Sequence, residues 1–295
     1  MIKSEWYTYA EVFPNMLHSR LFDAPAVYTW IFTPSIVIGL VSLSVLYAYL
    51  VYADRRDGYW GKVLKARHIA FFTAGILTLY LALQSPLDPL SDYALFSAHM
   101  TQHLLLALIA PAFLLFGVSM RWLRALYQIP IIGPLLAIFT NPFVALIVFN
   151  FNLWLWHVPA LYEGALRDEN IHVIQHLLFI VTGTLMWLPV LHTVPPNRPM
   201  GYLAKIGYLF FGMLSSSILG AIFTFAGDVI FKFYGDIPLN FGLTPLDDQQ
   251  LAGSIMWVPG GGIFFTSLLI TFAAWLQSED RKGQALDQQQ KEVTQ

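Results

Sequence analysis

The sequence predicts an all-α membrane protein: a polytopic bundle of seven transmembrane helices, N-terminus outside and C-terminus cytoplasmic. Three observations carry this. Of the 295 residues, 57% are hydrophobic and only 12% charged, with a mean hydropathy of +0.59; soluble domains carry about 25% charged residues. The charges are crowded into short intervals. Between those intervals lie apolar runs near the roughly 20 residues that cross a bilayer core.

In chain order, the spans are expected at residues 29–52, 68–84, 95–117, 142–161, 171–192, 203–226 and 251–277. Together they make one membrane domain over residues 27–277. Residues 1–26 form an extracytoplasmic segment rich in aromatic side chains, including Trp6, Tyr7, Tyr9, Phe13 and Phe22. This start lacks the basic end and short apolar core of a cleaved signal peptide, so the first span is expected to direct insertion. Residues 120–128 are short, basic and apolar, and read as an interfacial helix on the inner face. Pro259-Gly260-Gly261-Gly262 is expected to interrupt regular helix in the last span. Such a break persists in lipid only where protein or a cavity satisfies the freed backbone. Residues 278–295 are Gln-rich and charged, and read as a disordered cytoplasmic tail.

Orientation follows from the basic residues. One side of the membrane receives Arg55, Arg56, Lys62, Lys65, Arg67, Arg121, Arg124, Arg198, Lys205, Arg281, Lys282 and Lys291. The other receives only Lys3, Arg20, Arg167 and Lys232. The first side is therefore cytoplasmic.

That orientation makes the histidines informative. His99 and His103 fall in the outer turns of the third span, and His172 and His176 in those of the fifth. His157 falls near the outer end of the fourth, and His18 in the outer N-terminal segment. Positions i and i+4 share a helix face, so each pair aims at one point. Five imidazoles on three helices at one depth make a candidate metal site, and imidazole suits zinc, copper, iron and nickel. A lone histidine in a membrane helix is more often only hydrogen-bonded to a neighbour, so the case rests on the cluster. His68 and His192 belong to the inner side and read as structural.

The neighbours refine the chemistry. Met100 and Met256 are apolar fillers in the bland reading and soft ligands that favour copper(I) in the sharp one. Gln102, Gln175, Asp247, Asp248 and Gln249 are expected to orient imidazole N–H groups from behind. Asp88, Asp92, Glu163 and Asp168 read as solvated loop carboxylates. With no cysteine in the chain, disulfides, thiolate sites, iron–sulfur clusters and cysteine nucleophiles are excluded. No phosphate-binding loop, dinucleotide fingerprint or G-x-S-x-G occurs. Met100 and Val173 stand where a zinc protease has its glutamate. Neither an enzyme nor a nucleic-acid partner is expected.

Four ordered blocks add a resemblance. They are F-S-A-H-M-T-Q-H-L-L-L-A-L-I-A-P at 96–111, N-L-W-L-W-H-V-P-A-L-Y-E-G-A-L-R at 152–167, I-H-V-I-Q-H-L-L-F at 171–179 and L-T-P-L-D-D-Q-Q-L-A-G-S-I-M-W-V-P-G-G at 243–261. Together they resemble the CtaG-type cytochrome c oxidase assembly factors, multi-pass proteins of the bacterial plasma membrane. The resemblance implies a role in maturing the copper-containing subunits of a terminal oxidase. Its partners would be oxidase subunits, an extracytoplasmic copper donor and membrane lipid. The cargo would be copper, Cu+ or Cu2+, held at His99, His103, His157, His172 and His176. Three other readings stay open: a haem-binding redox protein, a copper or small-solute transporter, and a metal-free scaffold. Small residues from Gly207 to Gly212 would allow a homodimer.

Overall fold

The computed structural model describes residues 28–61, 64–192 and 199–293. The outer N-terminal segment with His18, and Lys62 and Arg198 of the basic set, lie outside the described residues. The protein is 82% helix, with no strand among the described residues. Among the described residues, six helices are long and apolar enough to cross a membrane, or up to eight if each of two bent pairs counts as a span.

The first two helices are α1 (Pro34–Arg56) and α2 (Ala66–Gln84). Proline opens α1 where its missing N–H costs nothing. Only 11% of the α1 span is buried, against 56% of the third span. Its anchors sit at the basic end. Tyr47 stacks on Phe72 of α2 at 3.6 Å, and Asp54 pairs with Arg121.

A short helix, α3 (Leu87–Tyr93), leads into α4 (Phe96–Leu104), a π-turn at Leu105–Ile109 and α5 (Ala110–Gly117). Together α4, the π-turn and α5 make the third span. Pro111 has no N–H to give the preceding turn, and the helix widens there. The Leu108 carbonyl accepts from Trp187 Nε1 at 3.0 Å.

The basic stretch forms α6 (Met120–Tyr127), a helix where one is expected. It is followed by α7 (Ile132–Phe139), at 115° to it. This second helix has no counterpart among the expected elements. Ile131 makes the corner with φ of 72°, a costly conformation for a β-branched residue.

The fourth span departs from expectation. Instead of running to residue 161, α8 (Pro142–Trp156) stops and α9 (Pro159–Arg167) leaves at 74°. The reason is local: Pro159 disfavours helical backbone at Val158, which is extended. His157 sits in the corner.

Asp168 caps α10 (Glu169–Leu191), its Oδ1 accepting from the Asn170 and Ile171 N–H groups at 2.9 and 3.2 Å. This helix lies tight against the third span. A Cβ on Gly183 would stand 2.0 Å from the Ala107 carbonyl oxygen. Next comes α11 (Tyr202–Thr224).

The last span starts earlier than expected, as α12 (Pro245–Ile255), and widens into a π-turn at Met256–Gly260. It continues as α13 (Gly261–Val293). The Pro-Gly-rich segment thus deforms the helix without breaking it. The expected disordered tail is corrected over residues 278–293, which extend α13 as helix, exposed over residues 279–292. A helix already nucleated propagates through Glu, Gln, Lys and Ala at little cost, and Lys282 pairs with Glu279 at 2.7 Å.

Candidate metal centre

The five histidines of the sequence reading converge. His99 and His103 project from α4 with ring centroids 4.1 Å apart, and His172 and His176 from α10 with the same spacing. Across the helices, His99 lies 5.5 Å from His172 and 6.3 Å from His176. His103 lies 5.6 Å from His176 and 6.3 Å from His157. His99, His103, His172 and His176 make a four-sided cluster, and His157 joins it beside His103. His99, His103, His157 and His176 are buried, and the His172 side chain is 12% exposed.

Hydrogen bonding fixes how two of the rings point. His99 Nδ1 lies 3.3 Å from the Ser91 carbonyl, and His157 Nδ1 lies 2.6 Å from that of Leu153. A carbonyl only accepts, so in both rings Nδ1 carries the proton. The Nε2 lone pair of the neutral ring is then free. Among the described residues, His99 Nε2, His172 Nε2, His176 Nε2 and both nitrogens of His103 are buried without a hydrogen-bond partner. A buried unpaired polar atom is costly; one nitrogen of neutral His103 carries a proton, so these five atoms offer up to four lone pairs to an ion.

One ligand candidate was missed. Asp92, His99 and His172 offer atoms all within 4.8 Å of one another. The sequence reading took Asp92 for a solvated loop carboxylate. It stands on α3, separated from His99 by the turn at Ala94 and Leu95, so no helical period links the two. Burial raises the carboxyls of both Asp92 and Asp88 above the ordinary carboxylate range, and their mutual repulsion adds to this for Asp88.

The expected supporting residues mostly do other work. Asp248 is buried and touches no imidazole. It accepts from the Phe96 and Ser97 N–H groups at 2.7 and 3.1 Å and from the Ser97 hydroxyl. It thereby caps the helix that carries His99 and His103. Asp247 is exposed and caps its own helix with Thr244. Gln249 holds the Ile230 and Phe231 N–H groups at 2.6 and 3.2 Å. Gln102 bonds Asp88, the Ala82 carbonyl and Ser91 rather than an imidazole. It fixes the end of α3, where the Ser91 carbonyl also accepts from Tyr234 at 2.6 Å. Gln175 is buried with both amide atoms unpartnered among the described residues. Met100 lies against His157, and Met256 lines a cavity beside it. Away from the cluster, His68 caps α2 through the Lys65 N–H and His192 bonds the Leu115 carbonyl.

Fold and site together define a class: a multi-pass helical membrane protein with a buried imidazole cluster at one end of its bundle. The chain belongs to the cytochrome c oxidase caa3 assembly factor family (Caa3_CtaG), whose family model matches residues 45–278. That interval holds the whole cluster. Similar curated proteins include an uncharacterized protein of Mycobacterium leprae (strain TN), 24% identical over 205 residues, covering 64% of this chain and 31% of the relative. Others are uncharacterized proteins of Mycobacterium bovis and Mycobacterium tuberculosis, each 26% identical over 182 residues, covering 56% of this chain and 27% of theirs. The chain thus spans less than a third of the length of the curated relatives it matches. No solved structure matches it.

Proposed function

We propose that this assembly factor binds copper as cargo through His99, His103, His157, His172 and His176, with Asp92, and hands it to the copper centre of a cytochrome c oxidase. The observation that carries this reading is the convergence of partnerless buried imidazole nitrogens at one end of the bundle. Neutral imidazole binds copper well, and a set without thiolates lets it go again. No turnover is assigned to the site.

The charge pattern of the loops supports a bacterial plasma-membrane protein with this end facing outward. Copper would then arrive from an extracytoplasmic donor, and a lateral contact would pass it to an oxidase subunit at similar depth. Haem fits less well than an ion. The cavity beside the cluster measures about 30 Å³, which suits one ion or a water rather than a macrocycle.

The test is metal content and an optical spectrum on detergent-purified protein. It is run beside a variant carrying His99→Ala, His103→Ala, His172→Ala and His176→Ala. Copper in the parent, lost in the variant and without a Soret band, supports the reading. A haem spectrum favours a redox protein. A folded parent that takes up neither, even after copper loading, leaves a metal-free scaffold for oxidase assembly.

A further inference from the structure

The five histidines do not share one environment. At the α3 end, Asp92, His99 and His172 supply a carboxylate oxygen and imidazole nitrogens. At the inner end, His103 and His157 face a cavity lined also by Met100 and Met256, with Phe149, Phe179 and other apolar side chains around it. Among the described residues, no carboxylate lines that cavity. Residues of both π-turns do: Ala107 and Leu108 from one, Met256 and Gly260 from the other. Such widened turns often mark functional sites.

One contact in the cavity has no hydrogen-bond explanation. His157 Nε2 lies 3.3 Å from Met100 Sδ. The Nδ1 proton of His157 is committed to the Leu153 carbonyl, so Nε2 of the neutral ring offers a lone pair. Thioether sulfur offers lone pairs only. Two acceptors therefore face each other with no proton between them. Typical metal–nitrogen and metal–sulfur bonds of about 2.0 and about 2.3 Å at a tetrahedral angle put nitrogen and sulfur about 3.5 Å apart. The observed 3.3 Å is close to that separation. Both nitrogens of His103 are buried without a partner in the same space.

We infer that Met100, His103, His157 and Met256 form a second metal site selective for copper(I), inward of the Asp92, His99 and His172 site. The inference rests on the copper reading above and divides its histidines in two. Thioether selects the soft cuprous ion. Charge selects the same way. The cost of burying an ion grows with the square of its charge, and four neutral ligands cancel none of that charge. A monovalent ion is therefore favoured over a divalent one. The outer site carries Asp92 and suits a divalent ion or the first capture of copper. His103 lies against both His99 and His157, so copper(I) can pass inward by exchanging ligands without any change in oxidation state.

The test uses the full chain in detergent, loaded anaerobically with copper(I) alone. X-ray absorption reads the scatterers, and competition with a copper(I) chelator reads the affinity. Parent protein is expected to show a copper–sulfur shell. Met100→Leu with Met256→Leu, a swap that nearly conserves volume, should abolish that shell. It should also weaken copper(I) binding roughly tenfold or more, the scale on which even partners behind a ligand act. Asp92→Asn with His172→Ala should keep the sulfur shell. A parent that binds copper(I) through nitrogen and oxygen only overturns this inference and leaves the copper reading standing. So does a sulfur shell that survives the double methionine change. A parent that binds no copper overturns both.

Discussion

At the residue scale, the carboxylates around the cluster divide into a candidate ligand, Asp92, and a clamp, Asp248. Burial raises Asp88 and Asp92 above the ordinary carboxylate range. The folded, metal-free protein therefore holds protons there that the unfolded chain has released. Stability from this source is full below the ordinary carboxylate range and is lost as pH rises through the raised values. Thermal melts of metal-free protein should fall with pH from that range up to about pH 9, and less steeply for Asp92→Asn. Equal slopes in the two proteins would count against a buried carboxylate at position 92. Asp248 acts differently, because it takes two backbone N–H groups and a hydroxyl at the start of α4. Asp248→Ala should cost about 1–3 kcal/mol, as a lost cap that leaves buried donors unpaired. Chemical denaturation checks the loss, and metal affinity should fall with it as α4 frays.

At the element scale, the contact between α10 and the third span sets the spacing of the histidine pairs. Gly183 lets the two backbones meet at the Ala107 carbonyl. Gly183→Ala should destabilise by about 1–3 kcal/mol through overpacking. It should also lower copper uptake, because His176 and His103 are carried by the helices it pushes apart. Unchanged stability in a thermal melt would show that the helices slide without strain. The histidine pairs themselves were legible in the sequence, since four-residue spacing within a helix fixes a shared face whatever the packing. Asp92 was not, because its place depends on the turn from α3 into α4. The bend at His157 had a signal in Val158-Pro159, yet apolar content carried the expected span through it to residue 161. Met256 was singled out, but its cavity is set by a π-turn that no apolar period announces. Asp248 was singled out too, and its role misplaced. A carboxylate at the start of one helix can cap another only through tertiary packing.

At the scale of the whole molecule, composition carried the all-helical class and most of the spans. It could not separate a straight span from a bent pair, because hydropathy averages over the corner. The charge pattern makes a topology that can be tested directly. The chain has no cysteine, so single introduced thiols report without background. Asp236→Cys lies in an exposed stretch between α11 and α12, and Gln284→Cys on the exposed extension of α13. In intact cells, an impermeant maleimide should label the first and not the second. Labelling of both, or only of position 284, would reverse or refute the orientation. Removing residues 279–292, which are exposed helix, should leave copper content unchanged.

The two π-turns have an evolutionary consequence. Each holds one more residue than the regular helix around it would need. The widened turn absorbs the roughly 100° that an extra residue adds, so deleting that residue would mend the helix and leave the turns on either side facing as they do. What would change is local: Ala107 and Leu108, or Met256 and Gly260, would no longer line the cavity as they now do. Lineages that keep the cavity are therefore expected to keep both widened turns. A one-residue gap at Leu105–Ile109 or Met256–Gly260 in a relative should coincide with loss of the methionines while the paired histidines keep their shared faces.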